Sequence, residues 1–100
     1  MNAQAQQVAT EFSRRVEEFQ SGPKGNDIVN FIKAIKEWLE SLDLSGFGND
    51  GIKDLVIWVY ETLYPMLLNL APGKLKLVVQ VINAFVTKIL ENWKDASPAE

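Results

Sequence analysis

The stretch from Asp50 to Leu70 constrains this chain most. Beyond Asp54 only Glu61, Thr62 and Asn69 in it are plainly polar. A surface helix keeps one wet face, so this segment needs cover on more than one side. Its main apolar stripe is Ile52, Leu55, Val56, Val59, Leu63, Met66, Leu67 and Leu70. A second stripe, Ile57, Tyr60, Tyr64 and Leu68, recurs at steps of three and four on another side. Trp58 falls outside both, among Asp54, Glu61 and Thr62. Pro65 lacks the amide that would bond the Glu61 carbonyl, and it disfavours helix at Tyr64. The helix, about 50–70, is therefore expected to kink or split at Pro65. Asn49 or Asp50 supplies its cap.

Three more helical segments surround it. The first, about 2–20, carries Ala5, Val8, Ala9, Phe12, Val16 and Phe19 as one narrow stripe, with Asn2 as cap. Glu11, Arg14, Arg15 and Glu18 are spaced for weak pairs along its surface. Ser21, Gly22 and Pro23 end it. The second, about 27–42 and capped by Asn26 or Asp27, has Ile28, Phe31, Ile32, Ile35, Trp38, Leu39 and Leu42 on one face. A loop follows in which Phe47 sits between Gly46 and Gly48. That ring either tucks over the end of the core or stands out as an anchor. The last segment, about 72–93, is expected to begin at Pro72, which suits a first helical position. Its main stripe runs from Leu75 to Trp93, with a smaller ridge of Leu77, Val81 and Ala84. The β-branched run from Val78 to Ile82 leans toward strand, but length and spacing favour helix.

Four helical segments with short loops predict an all-α, antiparallel four-helix bundle. One hundred residues suit one domain, read as 1–95, with a flexible tail over 96–100. The asymmetry between the halves matters more. The first two helices are apolar on one side, the last two on two sides. The second faces need a second copy of the chain, another protein, a lipid surface, an apolar ligand, or cover from within.

Composition narrows the chemistry. There is no cysteine and no histidine. That removes disulfides, thiolates, the commonest metal ligand and the usual neutral-pH acid–base group. Five serines have no histidine to activate them. Neither stretch with paired glycines, Gly22 to Gly25 or Gly46 to Gly48, has the spacing of a phosphate loop. Glu61 is the one acid in mostly apolar surroundings; buried, it would be raised in pKa and become a candidate base, exposed it is a rim carboxylate. No cofactor, no metal and no enzymatic activity are expected. A net charge of −3 gives no basic face for nucleic acid. A membrane span needs about 20 apolar residues, and Glu61 interrupts the best candidate at a cost of roughly 3 kcal/mol. The first residues lack the basic and apolar regions of a secretory signal, and a cytoplasmic location is the default expectation.

The function these features point to is a small non-catalytic interaction module that self-associates or joins a protein partner. Its expected surface is Ile57, Tyr60, Tyr64, Leu68, Leu77, Val81 and Ala84, with Phe47 and Trp58 as possible anchors. The alternative is peripheral binding to a lipid surface or an apolar ligand through the same faces.

Overall fold

The computed structural model describes residues 1–22 and 27–93. The tail expected over 96–100 lies outside these residues. The described chain is all-helical: α1 (Ala3–Ser21), α2 (Ile28–Ser41), α3 (Gly48–Trp58), a π turn (Val59–Leu63), α4 (Tyr64–Leu70) and α5 (Leu75–Glu91). The segment α3–π–α4 is one continuous rod, so four rods make the compact bundle expected from the sequence.

Local chemistry starts the first two helices. The Asn2 side-chain oxygen accepts the N–H groups of Gln4 and Ala5 at 2.9 and 3.2 Å. Asp27 accepts those of Val29 and Asn30 at 2.9 and 3.3 Å. Each cap satisfies amides that the first helical turn leaves unpaired. The third helix departs from expectation. It begins at Gly48, so Asn49 and Asp50 lie inside the first turn, and no side chain caps it. Gly48 has φ +68°, a left-handed value that glycine adopts freely. Pro72 is likewise not the first residue of the last helix. A turn closed by the Lys74 N–H on the Ala71 carbonyl intervenes, and α5 starts at Leu75.

The irregularity expected near Pro65 takes the form of a wide turn just before it. The Tyr64 N–H bonds the Val59 carbonyl, five residues back. A proline ring collides with the carbonyl four residues earlier in a regular α-helix; a π turn inserts one residue there and loosens the crowding. The same turn corrects the core face. Leu55, Val59, Leu63 and Leu67 are all buried and all four apart. Three steps of four residues drift roughly 120° around an α-helix of 3.6 residues per turn. The wide turn rotates them back. Met66, expected on the main stripe, is turned outward instead.

The packing order explains why the halves differ. The closest backbone approaches are α2 with α5, α1 with α3, and α5 with both α3 and α4. The rod α5 therefore lies between α2 on one side and α3–α4 on the other. It buries Val78, Val81, Ile82, Phe85 and Ile89. The rods α1 and α3 run in the same direction: Asn2 meets Asp54 at one end, where its N–H donates to the carboxylate at 2.5 Å, and Phe12 meets Trp58 further along. Phe12 and Trp58 pack edge to face, with centroids 5.5 Å apart. Near the start of α3, Gly51 admits the capped start of α1. A methyl group built on Gly51 would lie 3.0 Å from the Phe47 Cβ and 3.1 Å from the Asn2 side-chain oxygen.

Candidate functional site

The sequence places the candidate surface on the outer side of α3–α4 and the neighbouring ridge of α5. The structure splits that set. Ile57 is 43 % exposed and Tyr60 53 % exposed. Tyr64 and Leu68 continue the row and are half-buried against the core. On α5, Leu77 and Ala84 are half-buried. Val81 is 0 % exposed and drops out of the surface. The reason is its position on the rod that neighbours cover from two sides. Trp58 drops out as well, at 2 % exposure. Its polar sequence neighbours suggest an outward ring, but α1 lies on that side and Phe12 takes up the indole. Phe47 is tucked, half-buried against the core rather than projecting.

Glu61 stands exposed with Tyr60 and Thr62 on the outside of the π turn. The burial on which a proton-carrier reading depends is not there. Lys53 and Glu61 flank Ile57 four residues to either side. Both are exposed, and neither pairs with another described residue.

Several charges on α1 and α2 are engaged within their own helices. Glu11 accepts from Arg14 at 2.6 Å and from Arg15 at 2.7 Å, and Glu18 accepts from Arg14 at 2.5 Å. The Arg14 guanidinium, with Arg15 behind it, draws the Glu11 carboxyl down to about 2. Lys36 pairs with Glu40 at 3.2 Å. Lys88 crosses from α5 to donate to the Glu40 carbonyl near the end of α2, where a cation also suits the helix dipole.

A second feature, absent from the sequence-based set, lies between α1 and α2. These rods do not approach closely along their backbones; long side chains bridge them. Phe19 stacks on Phe31 with centroids 4.3 Å apart, and Arg15 lies 4.7 Å over the Trp38 ring. Beyond that bridge, toward the start of α1, the seam opens into a cleft of about 280 Å³. Val8, Trp38, Leu42 and Phe47 form its apolar part; Gln4, Gln7, Glu11 and Asp43 form its rim. The Asp43 Oδ1 accepts both the N–H and the hydroxyl of Ser45, at 3.0 and 2.7 Å. Those bonds hold the Asp43 carboxyl below the usual carboxylate range. The other oxygen, Oδ2, has no partner among the described residues. The sequence signal for this cleft was the wide aromatic face of α2, which carries more apolar bulk than the narrow α1 stripe can meet.

No residue outside glycine is both polar and buried among the described residues. No group of three or more metal-ligating side chains forms there either. Among those residues no helix is long and apolar enough to cross a membrane. No protein-family model, characterised protein or solved structure matches this chain.

Proposed function

We propose that this chain is a non-catalytic helical interaction module that pairs with a second copy of itself through the outer face of α3–α4. The observation that carries the reading is the row Ile57, Tyr60, Tyr64 and Leu68, whose first two members stand in water. Leu77 and Ala84 of the α5 ridge are half-buried, but Ala84 lines a groove with Glu40 of α2, so the α3–α4 row carries the reading alone. Tyrosine suits such a role because it offers apolar area with a polar tip at small entropic cost.

The flanking charges favour a second copy over an unrelated partner. In an antiparallel pairing about a twofold axis at Ile57, each Lys53 faces Glu61 of the other copy. The two charges are eight residues apart, about 12 Å along a helix, too far to pair within one chain. Across a twofold axis both pairs form at once.

Light scattering after size exclusion tests this directly: the expected mass is that of a dimer at micromolar concentration. Tyr60→Ser should shift it toward monomer with helicity unchanged. Lys53→Glu should weaken the dimer, and adding Glu61→Lys should restore it. A parent chain that is monomeric across the micromolar range refutes the proposal.

A further inference from the structure

We infer that the cleft between α1 and α2 is a binding site for a small organic ammonium ion carrying one apolar ring or short chain. The argument is independent of self-association, which uses another face.

Three properties of the cleft select this class. Its size, about 280 Å³, is just below the range of drug-sized ligand clefts and has room for a single ring with its charged arm. Its inner lining is apolar, with Trp38 and Phe47 as the aromatic members among Val8 and Leu42. Aromatic faces attract cations, and indole attracts them best. Trp38 already shows this behaviour in the same structure, since the Arg15 guanidinium lies over its ring. The charges on the rim are carboxylates: Glu11 and Asp43 line the cleft and no lysine or arginine does.

Asp43 distinguishes a cation from a neutral apolar guest. The Glu11 carboxylate is committed to Arg14 and Arg15. Among the described residues the Asp43 Oδ2 has no partner, while Oδ1 anchors the carboxylate through Ser45. Lys88, whose charge also acts on Asp43, gives its ammonium to the Glu40 carbonyl instead. A guest with its apolar end toward Val8 and Leu42 and its ammonium toward Asp43 would meet both halves of the site. An anion of the same shape would meet the Asp43 carboxylate there instead.

The test uses the whole chain, labelled with nitrogen-15, and three probes of similar bulk: benzyltrimethylammonium, benzenesulfonate and benzyl alcohol. The ammonium is expected to give saturable shifts at the Trp38 indole and at the amides of Val8 and Asp43. The sulfonate should give none, and the alcohol should bind at least about threefold more weakly than the ammonium, as a lone exposed charge contact allows. Asp43→Asn keeps an oxygen for Ser45 and so keeps the turn; it should lower ammonium affinity about threefold to fivefold. Trp38→Phe retains a ring and should also weaken the ammonium more than the alcohol. Absence of saturable shifts, equal binding of all three probes, or unchanged affinity in Asp43→Asn would overturn the assignment.

Discussion

Replacing Gly51 by alanine sets two effects of known size against each other. Gly51 lies in the first turns of α3, where alanine is favoured by about 1 kcal/mol on helix propensity alone. Against that stand the residue before α3 and the cap at the start of α1. The new methyl would lie 3.0 Å from the Phe47 Cβ, a backbone-attached atom that no rotamer change can move, and 3.1 and 3.3 Å from the Asn2 side chain. Forcing a methyl into such a space costs about 1–3 kcal/mol. Displacing Asn2 also loosens its cap on Gln4 and Ala5, worth about 1 kcal/mol. The net expectation is destabilisation by about 1–3 kcal/mol, or a Tm lower by about 4–8 °C for each kcal/mol. Urea and thermal melts followed by circular dichroism measure it. Asn2→Gly supplies the control, since glycine caps nearly as well as asparagine but leaves nothing for the methyl to strike on that side. In that background Gly51→Ala should cost about 1 kcal/mol less, a coupling outside ordinary additivity. A Gly51→Ala protein more stable than its parent would refute the reasoning, because propensity would then have outweighed the contact.

Three other outcomes are expected. Deleting Thr62 from the π turn places the next buried leucine three residues after Val59, so a regular α-helix serves. Alone the deletion should cost about 3 kcal/mol, because Pro65 then sits in a regular helix; combined with Pro65→Ala it should come within about 1 kcal/mol of the parent, whereas deleting Lys53 from α3 should abolish cooperative unfolding. Phe12→Ala removes a fully buried ring and the partner of Trp58; it should cost about 3–5 kcal/mol and shift the Trp emission to the red, and a loss below 1 kcal/mol would contradict the packing described. The Glu11 carboxyl is depressed from 4.5 to about 2 by Arg14 and Arg15, so its contribution to stability is complete above pH 4.5 and lost as the pH falls toward 2. Glu11→Gln should flatten that part of the acid-unfolding curve, and an unchanged acid limb would contradict the pairing.

The sequence alone determined the local events. Asn2 and Asp27 cap because each offers a side-chain oxygen just before a helical run, and that chemistry needs no distant partner. The stripes of α1 and α2 follow from 3.6 residues per turn, as does the general rule that the chain is all-helical. The absence of cysteine and histidine is likewise a fact of composition. The three successive four-residue steps from Leu55 to Leu67 held a sign of the π turn, yet a stripe of that spacing can also be read as a wide α-helical face, and Met66 was misplaced for that reason.

The tertiary structure decided which apolar faces meet. Both Val81 and Tyr60 belong to second stripes, and periodicity treats them alike. Val81 is enclosed because α5 lies between α2 and α3–α4, while Tyr60 stays exposed. Trp58 is enclosed because α1 runs beside α3 and presents Phe12 there. The cleft at Trp38 exists because α1 and α2 are held apart by their own aromatic side chains. Periodicity fixes the face that a helix turns from water, but the identity of what covers that face depends on contacts between residues far apart in the chain.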